Sequence, residues 1–198
     1  AYADDRPLEK VSACEPLGYL VKPYEPRELR AVINIALYRM AMERQLRENR
    51  ERLELALAGG DLGLWDWDTQ SGRVFYNARW AEMLGYSLGE IEPHIRIWEQ
   101  LVQPEDQARV RERLQDHLEG QTPFYETEHR LRAKNGEWVW VLDKGRVTQR
   151  DHAGRPLRVV GTHLDLTEKK RNEKIMREER DLGVALSKAR SLEETLTT

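Results

Sequence analysis

The sequence predicts an α+β fold, with two strands, several short helices and three further strands between long flanking helices. Short runs of alternating or continuous apolar residues, bounded by turn-forming residues, predict the strands in the middle of the chain. Charged segments with apolar residues every three or four positions predict the helices on both sides. Because the strands follow one another through short turns, we expect them to pair antiparallel.

The first strand pair and the helices after it are predicted from local signals. Leu62 to Thr69 alternates, with its two tryptophans on one side, and Val74–Tyr76 can pair back through a Ser-Gly turn. Asn77 is the expected cap of a short helix ending at Gly85. A longer helix is expected from Pro104 to about Glu119, since a first-turn proline loses no needed N–H.

Three more strands are predicted toward the end of the fold. They are Phe124–Ala133, Glu137–Gln149 and Arg155–Leu164. Asn135-Gly136 is a strong hairpin signal between the first two, and Asp151 to Gly154 forms the next turn.

The last strand is expected to continue directly into a helix. Its apolar run stops at Asp165, and the sequence to Lys170 is highly charged. Asp165 and Glu168 have the spacing of a helix start, and Thr167 is a second candidate N-cap. Such a junction can pass strain from a sheet to a neighbouring module, which favours a sensor over a catalyst.

The flanking helices carry thin apolar stripes. In the first helix the stripe has spacings of four and seven and includes one asparagine: Met42, Leu46, Asn49, Leu53 and Leu57. Such spacing suits a coiled-coil seam, in which a lone asparagine can fix the register, and a solvated connecting helix is the equally weighted alternative. After Glu168 the stripe is broken.

Composition excludes several classes of function. The net charge of −3 gives no electrostatic case for nucleic acid or an anionic membrane. No run approaches the roughly 20 apolar residues that cross a bilayer, and the N-terminus lacks the pattern of a signal peptide. The single cysteine, Cys14, fits a reducing cytoplasm. The absence of an initiator Met suggests a piece of a longer protein.

Four segments of the middle zone resemble a PAS domain of the tryptophan-rich subclass found in bacterial and archaeal sensor kinases. They occur in family order: GLWDWDTQSGRVFYNARWAEMLGYS, WEQLVQPEDQARV, YETEHRLRAKNGEWVWVLDKGRV and VVGTHLDLTEKK. The resemblance implies a five-stranded antiparallel sheet with short helices on one face and a cavity between sheet and helices. It also implies that Asp165 and Thr167 couple the sheet to an output helix.

The first zone resembles the C-terminal third of a response-regulator receiver domain. The matching segments are AYAD and GYLVKPYEPRELRAVINIAL, with Tyr24 in place of the more usual Phe. Lys22 would contact the phosphoryl group, which suits its compact charge. The phosphoacceptor aspartate and the acidic metal-binding pair would lie upstream of this chain, so no phosphorylation is expected here.

The C-terminal segment RDLGVALSKARSLEETL resembles the entry helix of a GAF domain, and a helix leading to a kinase phosphoacceptor histidine is the rival interpretation. No histidine follows His163, so no such phosphorylation site is present. The resulting domains are a receiver remnant (1–40), a connecting helix (41–58), a PAS sensor (59–167) and an output helix (168–198).

Seven residues are candidates for the lining of a ligand cavity. They are Trp65, Trp67, Tyr76, Trp80, Trp98, His129 and Trp140. A filled aromatic core is the favoured alternative for the aromatic residues, because such side chains dominate core burial. His129 alternates with Tyr125, Thr127 and Leu131 and should face the helix-covered side. It could sense pH or bind a ligand, but a satisfied core histidine is favoured.

The resemblance argues against two cofactors and leaves the ligand unknown. Haem-binding PAS domains place their ligand near the start of the long helix, where this chain has Arg109, whereas His117 lies near its end. LOV-type flavin chemistry needs a cysteine, and the PAS segment has none. The spacing of the five histidines indicates no metal site.

No enzymatic activity is predicted for this segment. Glu126 and Glu128 alternate with Arg130 and Arg132, which indicates a charge-paired strand face, and no catalytic motif occurs. The expected function is sensing within a two-component phosphorelay protein, with a homodimer formed through the flanking helices and a downstream kinase or other output domain. The alternatives are a purely structural PAS dimerisation module and a haem or flavin redox sensor.

Overall fold

The computed structural model describes the backbone of residues 22–196 and the side chains of residues 22–185. The chain divides into two units at Ala56 and Leu57, and each is described by itself. The apolar run that ends at Val21, predicted as a receiver strand, lies outside the described residues. Among the helices of residues 22–196, none combines the length and apolar character that crossing a lipid bilayer requires.

Helix α1 spans Pro26–Gly59 and ends where the Gly59-Gly60 pair breaks the pattern, as predicted. None of its residues is buried. Ion pairs between residues four positions apart, such as Arg44–Glu48 at 2.8 Å, form on its charged surface. Its apolar stripe is exposed except at the half-buried Leu57, and Leu46 is 71% accessible. The coiled-coil interpretation of this stripe stays a prediction.

The second unit contains a five-stranded antiparallel sheet, which confirms the predicted fold class. Its order is β2-β1-β5-β4-β3, so the last strand lies between the first and the fourth. The strands are β1 (Leu62–Asp68), β2 (Val74–Tyr76), β3 (Tyr125–Arg132), β4 (Trp138–Arg150) and β5 (Pro156–Asp165). The three C-terminal strands match their predicted bounds to within a residue or so, because Gly and Asn-Gly turns delimit them.

Helices cover one face of this sheet. They are α2 (Ala78–Met83), α3 (Ile95–Leu101) and α4 (Pro104–Leu118), with a 3₁₀ turn at Leu88–Glu90. The Asn77 side chain accepts a hydrogen bond from the Trp80 backbone N–H at 3.0 Å, which confirms the predicted cap. Helix α2 packs directly on β1, because a Cβ at Gly63 would lie 2.9 Å from the Trp80 Cα.

The opposite face of the sheet is charged, but its pairing differs from the prediction. The Glu126 and Glu128 carboxylates pair with Lys144 (2.6 Å) and Lys170 (2.5 Å), not with the arginines of their own strand. Residues i and i+2 of a strand point the same way but lie too far apart to compete with a cross-strand neighbour. Glu126 and Lys144 are such neighbours in the β3–β4 register.

Asp106 fastens the start of α4 to β3. Its carboxylate accepts hydrogen bonds from the Arg130 backbone N–H (3.1 Å) and guanidinium Nε (2.9 Å). Although Asp106 is buried, which by itself raises its pKa, the hydrogen bonds from Arg130 outweigh burial and lower the pKa below the ordinary 3.8. The carboxylate is therefore stabilised in its charged form within the folded protein.

Asp106→Asn is expected to lower the free energy of unfolding at neutral pH by about 2 kcal/mol, since charged hydrogen bonds are lost. Because the folded-state pKa is lowered, this stabilisation is present above pH 3.8 and is lost as the pH falls through the folded pKa. Urea titrations at several pH values measure both effects. Glu112→Gln, an exposed change on the same helix, is the control. An unchanged stability for Asp106→Asn at pH 7 would contradict this account.

Helix α5 spans Thr167–Leu196 and begins immediately after β5. The predicted junction of last strand and output helix is thus present without an intervening loop. Leu166, the one residue between the two elements, is 6% exposed and belongs to the buried set. The side chains of residues 171–185 are all exposed.

Candidate functional site

A small cavity lies between the sheet and its helices. Its volume is about 20 Å³, enough for one water molecule or ion and far below that of pockets for organic ligands. Aromatic residues supply most of the wall. The lining residues are Trp65, Trp67, Val74, Tyr76, Trp80, Ile95, Trp98, Leu114, Tyr125, Asp143 and His163. Five of the seven predicted cavity residues are therefore brought together here.

Trp140 does not line this cavity, which corrects the sequence-based assignment. Side chains alternate along β4, and Val141 and Asp143 on either side of Leu142 are the buried ones. Trp140 consequently faces the opposite side of the sheet. There its ring lies between the Arg130 guanidinium, at 5.2 Å, and the Lys170 ammonium, at 5.3 Å. These are cation–π distances.

Trp65 lies flat on the sheet because two neighbouring strands carry glycine beneath it. A Cβ on Gly161 would lie 2.3 Å from the indole, and a Cβ on Gly145 would lie 2.6 Å from it. Gly145 and Gly161 are directly opposite each other in the β4–β5 register. The pair of glycines therefore forms the space that the Trp65 ring occupies.

The Trp65 ring directs its N–H at the buried carboxylate of Asp143. The distance from Trp65 Nε1 to Asp143 Oδ1 is 2.9 Å, and Asp143 is only 2% exposed. The second carboxylate oxygen lies 3.0 Å from Nε2 of His163. Within the described residues, His163 is the one basic side chain that contacts this carboxylate. Three strands, β1, β4 and β5, are thus joined through one carboxylate.

His129 completes a cluster with Asp143 and His163. One ligand atom from each of the three residues lies within 4.8 Å of the others. Burial lowers the pKa of His129 to about 4, although the Asp143 carboxylate opposes this effect. His129 is therefore a neutral imidazole at neutral pH, on the face predicted from alternation.

Several polar atoms around this cluster have no hydrogen-bond partner within the described part of the chain. They include both ring nitrogens of His129, Nδ1 of His163 and the Tyr76 hydroxyl. Burial raises the pKa of Tyr76 and of Tyr125, and the Asp143 carboxylate adds to each effect, in the case of Tyr125 also through a hydrogen bond. Buried groups of this kind normally find partners, so the interior is suited to a small polar guest.

The two residues considered for haem have backbone partners. Nδ1 of His117 lies 2.9 Å from the Thr122 carbonyl oxygen, and its Nε2 accepts from the Val147 N–H at 3.0 Å. This histidine closes the end of α4 against β4. The Arg109 guanidinium donates to the Thr127 hydroxyl and to the Glu128 carbonyl, both at 2.9 Å. Both side chains therefore join α4 and its following turn to the sheet.

The junction with α5 is held by three short contacts. The Thr167 hydroxyl accepts from the Trp140 backbone N–H at 3.1 Å, and Leu166 donates its N–H to the Trp140 carbonyl at 2.7 Å. The Asp165 carboxylate accepts from the Thr167 N–H at 2.7 Å, so Asp165 bonds the first backbone N–H of the helix. Both predicted relay residues thus lie at the junction. Lys22, the predicted phosphoryl contact, is exposed.

Sequence analysis missed Asp143, His163 and the two glycines beneath Trp65 as residues of the site. Asp143 lies in a strand whose apolar and polar residues do not alternate cleanly. It is two residues from Val141 and therefore on the same face, which was the available signal that it points inward. No local pattern distinguishes a glycine that accommodates a ring from one that ends a strand. The predicted absence of a metal site rested on spacing along the chain, which says nothing about contacts between strands.

Comparisons with known proteins agree on one family. Residues 73–163 match the family model described as the PAS fold. A crystal structure of a sensory box histidine kinase/response regulator from Burkholderia thailandensis E264 is 33% identical. The match covers 66% of this chain and 95% of that one, with a TM-score of 0.58.

Two curated proteins match over parts of their length. The probable diguanylate cyclase DgcE of Escherichia coli K12 is 30% identical over 141 residues, which are 69% of this chain and 12% of that protein. Hybrid signal transduction histidine kinase A of Dictyostelium discoideum is 39% identical over 46 residues, which are 23% of this chain and 2% of that protein. The chain spans a small part of both relatives.

Gly161→Ala is expected to displace Trp65 and to weaken its bond to Asp143. Overpacking of this kind costs about 2–3 kcal/mol of the free energy of unfolding. Near-ultraviolet circular dichroism should show a changed tryptophan environment. Gly89→Ala is the matched control, because a Cβ there meets no atom within 4 Å. If both variants kept the parent spectrum and stability, the packing described for Trp65 would be wrong.

Proposed function

We propose that this chain, which belongs to the PAS domain family, is a sensory segment that relays an event in its interior to helix α5. The observation that carries the proposal is that the buried Asp143–His163 site and the junction with α5 lie on the same two strands, β4 and β5. Asp143 lies opposite His163, and two residues along the same ladder Val141 lies opposite Asp165. Two residues of strand span about 7 Å, so a change at the buried pair acts close to the start of α5.

The geometry supports a mechanical relay. The buried Asp143–His163 pair and the Trp140–Thr167 bond both connect β4 to the chain segment that contains β5 and the start of α5. A guest that pulls on the buried pair would shift β5 against β4. Because α5 starts without a loop, its first turn would follow the movement instead of absorbing it.

Helix α5 is suited to pass this movement onward. Its first turn is fixed by the buried Leu166 and by the Lys170–Glu128 ion pair, whereas residues 171–185 are exposed. Exposed apolar residues follow along this helix, among them Met176 (66%) and Leu182 (61%). Such residues can pack against a second copy of the chain or against an output domain.

The wider assignment is a two-component signalling protein of the cytoplasm. The proposal treats residues 1–40 as the end of a receiver domain and residues 168–198 as the output helix, leading to a GAF or kinase domain. The uninterrupted helix α1 supports a receiver helix that continues into a connecting helix. The histidine kinases among the similar proteins support such a parent, in which this segment itself has no catalytic role.

A structural dimerisation module is the second candidate function. It is favoured by the exposed stripe of α1, in which Met42, Leu46 and Leu53 are 42%, 71% and 55% accessible. This candidate predicts a dimer whose interior does not influence α5. Redox sensing by haem or flavin is a further alternative, and an absorption band beyond the aromatic region in the purified protein would support it.

A double-mutant cycle between Asp143→Asn and Thr167→Val tests the relay. Thr167→Val removes the acceptor of the Trp140 N–H, and the single change should cost about 1 kcal/mol. Exchange of the amides in the first turn of α5 should then accelerate about fivefold. If the two sites are mechanically linked, the paired change should show a coupling energy of about 0.5 kcal/mol or more. Hydrogen exchange with mass spectrometry and urea titrations measure both quantities.

Glu168→Gln is the control for this cycle, because Glu168 is exposed on the same turn. Its coupling to Asp143→Asn should be within the error of additivity, about 0.3–0.5 kcal/mol. Additive effects of Asp143→Asn and Thr167→Val, with the fold retained, would remove the relay and leave the structural module as the better explanation.

A further inference from the structure

The buried cluster of His129, Asp143 and His163 has the donor set of a transition-metal site. Two imidazoles and one carboxylate are typical ligands of Zn²⁺ and of non-haem Fe²⁺. The Asp143 Oδ2–His163 Nε2 distance of 3.0 Å is close to the roughly 3.3 Å that separates two ligand atoms of a tetrahedral zinc ion. All three ligand atoms lie within 4.8 Å of one another, so the most distant one needs a movement of at most roughly 1.5 Å.

The surroundings of the cluster point independently to a bound cation. Both ring nitrogens of His129 have no partner within the described residues, although the residue is 0% exposed. Asp143 is buried as well, and among the described residues a histidine is the one basic side chain that contacts its carboxylate. Burying a carboxylate is costly unless hydrogen bonds or a positive charge compensate it.

We propose that His129, Asp143 and His163 bind a divalent transition-metal ion in the interior of the PAS unit. The three side chains come from β3, β4 and β5, so the ion would cross-link three strands. The cavity of about 20 Å³ beside the cluster has room for one small further ligand, such as a water molecule. The ion therefore has three protein ligands and one exchangeable position.

The residues around the ligands form a supporting shell. The Trp65 indole donates to Asp143 Oδ1, which leaves Oδ2 for the ion and orients the carboxylate. Trp65 is in turn positioned by Gly145 and Gly161. The His129 ring lies edge-on to Trp98, at 5.9 Å between centroids, which restricts its rotation. Metal ligands with fixed orientations of this kind bind more tightly than mobile ones.

The hypothesis that the ion is the signal of the sensor rests on the proposed function. The hypothesis that the cluster binds a metal does not. Binding would draw His129 toward the Asp143–His163 pair, and the first turn of α5 is attached two residues further along the same strands. The metal would thus act on the ladder that carries the relay.

The test uses the whole 198-residue chain after treatment with a chelator. Titration with Co²⁺ should produce visible d–d absorption bands at one equivalent, and Zn²⁺ should displace them. Asp143→Asn keeps the acceptor for Trp65 but removes the anionic ligand, and it should weaken binding by more than roughly 100-fold, beyond the loss typical of outer-shell changes. His129→Gln should act similarly. Circular dichroism verifies that each variant is folded.

His152→Gln is the matched control, because His152 is exposed in a turn outside the cluster. It should leave affinity and spectrum unchanged. Absence of one-equivalent binding to the parent chain, or equal binding by a folded Asp143→Asn variant, would overturn the proposal.

Hydrogen exchange of the first turn of α5 with and without Zn²⁺ separates the metal-site hypothesis from the relay hypothesis. Zn²⁺ binding without a change in α5 would support the metal site and contradict the relay. Absence of binding, together with a coupling energy between Asp143→Asn and Thr167→Val, would support the relay and contradict the metal site.

Discussion

The PAS unit depends on one buried carboxylate. Asp143 on β4 accepts the indole N–H of Trp65 from β1 and lies 3.0 Å from the His163 ring of β5. These strands are the central three of the sheet. A buried charge is stable only where its hydrogen-bonding capacity is met, so the positions of the strands and of the indole are mutually dependent. The absence of side chains at Gly145 and Gly161 makes this arrangement possible.

The same dependence explains why the interior suits a sensor better than a rigid core would. A fully apolar interior responds little to a polar guest, whereas this one contains unpartnered imidazole and phenol groups beside a carboxylate. The network also lies close to the start of α5. The Thr167 hydroxyl accepts from the Trp140 N–H, three residues along β4 from Asp143, and in the proposed relay this bond would pass a change at Asp143 to α5.

The exposed parts of the chain have a different physical role. Helix α1 has no buried residue, and α5 beyond its first turn is exposed as far as its side chains are described. Isolated helices are marginally stable in water, so long exposed helices of this composition are most stable when paired. The apolar stripes therefore suit contacts with a second chain or with neighbouring domains, through which a sensory module would exert its effect.

The sequence by itself determined the local structure. Turn residues delimited the strands, Asn77 and Asp165 marked helix starts, and alternation indicated that His129 faces inward, because these features depend on neighbours within a few residues. The tertiary structure decided the site. His129, Asp143 and His163 meet through pairing of distant strands, and Trp140 is separated from the tryptophans that line the cavity by strand parity. Such contacts arise from register across the sheet, which spacing along the chain does not encode.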